Sequence, residues 1–112
     1  MDLYFKGKRV NIVFARYYNG NTAVILKTNK DRFVVTECPK IDLTSIIPSL
    51  CGFPRDGNYD ATIKCLADAG ILHRKSIEAI PSTSGFIYIH SLTQKGMRLR
   101  KEQEKISLHF IF

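Results

Sequence analysis

The stretch FARYYNGNTAVIL, residues 14–26, joins two apolar, β-branched runs through Asn19-Gly20-Asn21. Asn and Gly supply the positive φ angles of a tight hairpin turn at low steric cost, so the stretch reads as the middle of a β-hairpin. Upstream, Arg9 to Tyr17 is rich in Val, Ile, Phe and Tyr and reads as the first long strand. Thr22 to Lys27 is the return strand, Thr28-Asn29-Lys30-Asp31 a second turn, and Arg32 to Cys38 a third strand. Pro39 ends it, having no N–H to donate to a ladder. The first forty residues are therefore expected to form an antiparallel meander. Val10, Ile12 and Phe14 fall on one face and Val13 and Ala15 on the other, so both faces should be partly covered.

Lys40 to Tyr59 has apolar residues (Ile41, Leu43, Ile46, Ile47, Leu50) without a clean period, and Pro48 argues against a long helix. Gly52, Pro54 and Gly57 mark residues 51–58 as a loop. NYDATIKCLADAGIL is the clearest helix: Asn58 stands at the N-cap, Tyr59, Ile63 and Leu66 form an apolar face, and Gly70 is the C′ residue with Ile71 and Leu72 packing back. Asp60, Lys64 and Asp68 are spaced as i, i+4 pairs on the opposite face. Ser76 to Ile80 reads as a short strand, Pro81-Ser82-Thr83-Ser84-Gly85 as a turn and Phe86 to Leu92 as a strong strand. Thr93 can cap a last helix to about Lys105, weakened by Gly96, and the alternating tail ISLHFIF can add one more strand. The expected fold is α+β, one domain over residues 1–112: an antiparallel sheet of about five strands, one central helix, and a C-terminal helix or strand.

A chain of 112 residues with 45% apolar and 24% charged residues is a globular composition. No apolar run approaches the roughly 18 to 20 residues of a membrane span, and MDLYFKGKRV lacks the apolar core of a secretory signal. A cytoplasmic location is the expectation. Cys38, Cys51 and Cys65 form no C-x-x-C pair, and with His73, His90 and His109 they match no metal-ligand spacing, so neither metal nor cofactor is expected. The formal charge is +7 and uneven: residues 1–32 carry +5, residues 33–93 carry −1 and residues 94–112 carry +3. Basic ends attract polyanions without by themselves defining a site.

YYNGNTAVIL, RFVVTECPKIDL, NYDATIKCLADAGIL and STSGFIYI, in that order, resemble a small domain-of-unknown-function family of bacterial conjugative elements and prophages. The resemblance covers roughly residues 4 to 90. It implies a three-stranded meander with an NG turn, a loop, a helix ending in "GL" or "GI" and a closing "SGF" strand. It implies a phage or mobile-element setting but no activity. More locally, residues 60–101, with CLADAGILHRK and then FIYIHSLTQKGMRLRKE, are similar to the end of a winged-helix domain. That likeness implies a recognition helix over Tyr59 to Ala69, a hairpin wing and a closing helix. Lys64 would be the recognition helix's one basic side chain. The same residues also fit a plain helix–hairpin–helix packing unit.

Two groups of residues are candidates for nucleic-acid or partner binding. Lys8, Arg9, Arg16, Tyr18, Lys30 and Arg32 lie in the meander. Tyr4, Tyr17, Tyr18, Tyr59 and Tyr88 can stack on unpaired bases while Arg9 or Arg16 holds phosphates; Arg16-Tyr17-Tyr18 is the best placed, and by strand parity Tyr18, not Tyr17, shares a face with Arg16. Arg98, Arg100 and Lys101 lie in GMRLRKEQEK, diluted by Glu102 and Glu104. Nothing resembles a nucleophile elbow or a phosphate-cradling glycine loop, and no enzymatic activity is expected. The expected function is a non-enzymatic protein of a phage or mobile element that binds nucleic acid or a host nucleoprotein, with inhibition of a host defence system as one purpose. The alternatives are a winged-helix-like regulator and a protein-binding module that forms a homodimer through Leu108 to Phe112.

Overall fold

The computed structural model describes residues 2–83, 85–106 and 110–111, and the fold is α+β. A meander of β1 (Leu3–Phe5), β2 (Lys8–Tyr17), β3 (Thr22–Lys27) and β4 (Arg32–Val34) forms one sheet in the order β1-β2-β3-β4. A second sheet holds β5 (Leu50–Pro54), β6 (Glu78–Ser82) and β7 (Gly85–Ser91) in the order β5-β7-β6, antiparallel throughout. Helices are α1 (Leu43–Ile46), α2 (Tyr59–Asp68) and α3 (Gln94–Ile106). The last strand, β8 (Phe110–Ile111), pairs parallel with Arg16 and Tyr17 of β2. The expected tail strand thus lies on the chain's own sheet over Phe110–Ile111, while Ser107, Leu108, His109 and Phe112 fall outside the described residues.

The expected α+β class with its N-terminal meander is present; the strands divide between two sheets, and residues 51–54, expected as loop, belong to strand β5 of the second. Four of its five residues are buried. Gly52 is required there: a Cβ would lie 2.7 Å from Ile87 Cγ2 and 3.2 Å from the Glu37 carbonyl. The third strand is also shorter than Arg32 to Cys38. Beyond Val34 the chain peels away: Thr36 Oγ1 accepts from Val24 N at 3.1 Å, and Glu37 N donates to Gly52 O at 3.0 Å. Residues 35–37 therefore bridge the two sheets. Strand β6 begins and ends two residues later than expected. It accommodates Pro81 because it is an edge strand, where a missing N–H breaks no ladder.

The main core joins both sheets. Val10, Ile12, Phe14, Val24 and Leu26 point from one face of the meander onto Phe53, Ile63, Leu66 and Ile71. On the other face Ala15, Tyr17, Ala23 and Ile25 form a smaller cluster with Val13 and Cys38. Burial of both faces follows the imperfect alternation of β2.

Helix α2 ends in a Schellman motif, in which Ile71 N donates to Leu66 O at 2.9 Å and Gly70 N to Ala67 O at 3.0 Å. Gly70 takes φ +74°. The expected C′ residue and its apolar return contact are both present. At the other end Asn58 occupies the N-cap position but its side chain makes no capping bond. Helix α3 docks onto this turn: Thr93 N donates to Ile71 O at 2.9 Å, Lys95 Nζ to Ala69 O at 2.7 Å, and Thr93 Oγ1 caps Gly96 N at 3.1 Å.

Candidate nucleic-acid interface

Register places each basic residue of the meander. Direct cross-strand partners share a face. Tyr4 stands opposite Arg9, and Asn11 opposite Lys27, which stands opposite Arg32. These five residues and Val34 lie on the face away from the main core, since Leu3, Phe5, Val10 and Ile12 alternate with them and are buried. The half of this face near the first hairpin is buried, with Ala15, Tyr17, Ala23 and Ile25 clustered there against Val13 and Cys38. The other half is open, with Tyr4 57% and Val34 46% exposed.

Lys8, Arg9, Lys27 and Lys30 line a groove of about 640 Å³ at this end of the sheet. Among the described residues Asp2 and Asp31 are the carboxylates that pair with them. Arg9 meets Asp2 at 2.9 Å and Lys8 meets Asp31 at 4.0 Å, both pairs largely solvent-exposed. Exposed pairs of this kind contribute little and exchange readily for a phosphate. Lys27, Lys30 and Arg32 are exposed and make no ion pair among the described residues.

The other candidates sit elsewhere. Arg16 lies seven residues along β2 from Arg9, about 23 Å at 3.3 Å per residue. Its guanidinium donates to Glu104 Oε1 at 2.7 Å and to Gly20 O at 2.9 Å. Tyr18 is 74% exposed at the hairpin tip, but its expected basic neighbour is held against α3. Arg100 is not a surface residue. It is 7% exposed and donates to Thr22 Oγ1 and Pro48 O, each at 2.8 Å. Burial, then the neighbouring Arg16, lower its pKa from the usual arginine value. Arg98 and Lys101 are exposed and line a groove of about 740 Å³ with Ser49, His73 and Glu104. The basic ends therefore form two patches at opposite ends of β2, not one surface.

Reading the sequence left out Asn11 and Lys27 and ranked Tyr4 only as one of five tyrosines able to stack, behind Tyr18. Odd-number parity from Arg9 reaches Asn11, and hairpin register carries it across to Lys27 and Arg32. The signal was present, but it needed the register, which the four-residue loop 18–21 sets.

Asn19 and Asn21 take no positive φ; within this loop only Gly20 does, at +92°. Their amides instead clamp the segment after Pro39. Asn21 Nδ2 donates to Pro39 O at 3.3 Å and Ile41 O at 2.8 Å, while its Oδ1 accepts from Leu43 N at 2.7 Å.

The solvent face of α2 is no better a phosphate site. Lys64 and Arg74 both donate to Asp68, at 2.8 and 2.7 Å, and hold its pKa below the ordinary value. Asp60 pairs with Arg55 at 3.0 Å instead of Lys64.

Behind α2, His90 is fully buried between Tyr59 Oη at 2.6 Å and His73 O at 3.0 Å. A carbonyl only accepts, so Nδ1 carries the proton and Nε2 accepts from the tyrosine. Burial lowers the His90 pKa, and the His73 carbonyl opposes that only in part. Burial pushes the Cys51 thiol up to about 12 and Cys65 to about 11, so neither is a thiolate nucleophile at neutral pH. Among the described residues no three of His, Cys, Asp and Glu converge as metal ligands, and no helix is long and apolar enough to cross a membrane. Compared with known proteins, the chain matches no family model, no curated protein and no solved structure.

Proposed function

We propose that this protein binds nucleic acid, without catalysis, through the open half of the outer meander face. The observation that carries the reading is the register that puts Arg9, Lys27 and Arg32 on one exposed face beside the groove lined by Lys8 and Lys30. Such a cluster neutralises phosphates and releases counterions whatever the sequence bound. The net +7 speeds encounter with a polyanion. If the resemblance to a family of conjugative elements and prophages is taken as the setting, the bound species is a nucleic acid or a host nucleoprotein, and blocking a host defence is one use of such binding.

A winged-helix-like regulator is the competing reading. The inserted helix, hairpin and closing helix follow one another as that reading requires. However, the exposed side of α2 carries two carboxylates and one ammonium, all ion-paired, which is a poor surface to lay against phosphates. A dimerisation module through the tail has less behind it, since Phe110 and Ile111 pair within the chain.

Fluorescence anisotropy with labelled oligonucleotides, at roughly 50 and 200 mM salt, tests the proposal. The wild type is expected to bind with a steep salt dependence. Lys27→Glu with Arg32→Glu should weaken binding strongly and lower the salt slope by about two, whereas Lys64→Glu should leave it unchanged. The same loss from Arg98→Glu with Lys101→Glu, and none from the sheet pair, would move the site to α3 and defeat the reading. So would no binding at the lower salt.

A further inference from the structure

The open face holds an aromatic ring as well as charge, and that narrows the ligand. Of the five tyrosines, Tyr17 is buried with its hydroxyl 3.2 Å from Thr36 O. Tyr59 and Tyr88 pack on each other with ring centroids 5.3 Å apart. Tyr18 is exposed but sits at the far hairpin, where Arg16 is already bonded to Glu104 and Gly20. Tyr4 combines exposure with the exposed cations of the meander: Arg9, in a solvent-exposed pair with Asp2, and Lys27 and Arg32, which make no ion pair among the described residues. Leu3 and Phe5, each 3% exposed, turn into the core and force the Tyr4 ring outward. Among the described residues the ring packs on no other aromatic. Arg9 stands directly opposite it, and the row Asn11, Lys27, Arg32 lies two residues along β2, about 7 Å away.

We infer that the ligand is an unpaired nucleic-acid strand, with one base stacked on Tyr4 and its backbone crossing the sheet over Arg9, Lys27 and Arg32. This rests on the proposed nucleic-acid reading and adds strandedness and a named contact. The geometry argues for a single strand. Duplex is read by a helix or ribbon that enters a groove, and this face presents the side of a sheet with no helix among its lining residues. Its strands are about 4.8 Å apart, so the cations on β2, β3 and β4 spread over roughly 10 Å across the sheet, with Lys27 and Arg32 directly opposite each other and Arg9 offset by about 7 Å along β2. That arrangement suits a backbone running across the strands. In a duplex the bases are stacked inside and offer no free face to a tyrosine. Asn11, between the ring and the two cations, has an amide that can both donate to and accept from a base edge.

The test uses the full chain and oligonucleotides of about 12 nucleotides: single-stranded DNA and RNA of one sequence, the matching duplexes, and an abasic single strand of equal length. Either single strand is expected to bind more tightly than its duplex. Tyr4→Ala should weaken single-strand binding roughly fivefold to a hundredfold, the range expected for losing one stacked base. Tyr4→Phe should retain it, and the abasic strand should bind wild type and Tyr4→Ala alike. Tyr4→Thr removes the ring while keeping strand propensity. It must show the same loss, and it stands in if the alanine variant folds poorly. Binding that needs Lys27 and Arg32 but ignores Tyr4, or that favours duplex, overturns this inference and leaves the broader reading standing. No binding, or binding indifferent to Lys27 and Arg32, overturns both.

Discussion

Asn21 shows how much one polar side chain organises here. It is 3% exposed, and its amide makes all three of its bonds to backbone groups of residues 39–43. Truncation leaves the buried Leu43 N–H without its partner and removes the bonds that hold Pro39 O and the part-buried Ile41 O. Asn21→Ala is therefore expected to destabilise the fold by about 2–4 kcal/mol, read as a lower midpoint in urea denaturation. His90 carries a different signature. Its folded-state pKa is lowered by burial, so the neutral ring belongs to the folded chain and the protonated ring to the unfolded one. Its contribution is present above the unfolded value of about 6.5 and is lost as pH falls through the folded pKa. Stability should decline below about pH 6.5 more steeply in the wild type than in His90→Gln. Equal slopes would mean that other groups account for the acid sensitivity. Asn21 was visible in the sequence only as a turn residue. Its clamp depends on partners 18 to 22 positions away, which no local pattern encodes.

At the scale of elements, Gly96 separates propensity from packing. Glycine inside α3 is unfavourable by roughly 1 kcal/mol relative to alanine, so helix propensity alone predicts that Gly96→Ala stabilises. The structure predicts the reverse, because a Cβ at this position would collide with the Ile71 backbone carbonyl, part of the turn on which α3 docks. Relieving that clash means lifting Thr93 from its bonds to Ile71 or distorting the Schellman turn. A net loss of about 1–3 kcal/mol is expected, seen as a lower melting temperature; a raised one would show that α3 shifts freely. The elements legible beforehand were those with a local signature: the first hairpin, α2 with its Gly70 stop, and α3 with Thr93 before it. β5 was hidden because Gly52 and Pro54 are ordinary turn signals. Gly52 is instead forced by close approach of Ile87 and Glu37. Gln103 is a further example. Its amide accepts from Phe14 N at 2.8 Å and donates to Ile12 O at 3.0 Å. It thereby fills the gap on the edge of β2 between β1 and β8, a substitute for a strand that no periodicity reveals.

For the whole molecule the question is whether two sheets behave as one folding unit. The main cluster contains Leu3, Val10 and Phe14 from the first sheet, Cys51 and Phe53 from the second, and Ile63, Leu66 and Ile71 from α2 and its stop. Residues 35–37 link the sheets covalently and by the Glu37 to Gly52 hydrogen bond. Arg100 adds a third tie, joining α3 to Thr22 of the meander and to Pro48 just before β5. Neither sheet keeps a closed core alone, since exposing Phe53 or Phe14 would forfeit about 2–3 kcal/mol for each ring left in water. Unfolding is therefore expected to be a single cooperative transition, with far-ultraviolet circular dichroism and tyrosine fluorescence giving coincident urea curves. Separated curves, or early amide exchange of β7 while β2 stays protected, would show that the second sheet opens independently. The result also bears on the candidate site. Tyr4, Arg9, Lys27 and Arg32 come from four strands, and they keep their spacing only while the core beneath them is intact. A cooperative fold would hold that spacing up to the melting transition, so the proposed nucleic-acid binding should vanish together with the fold and not before it.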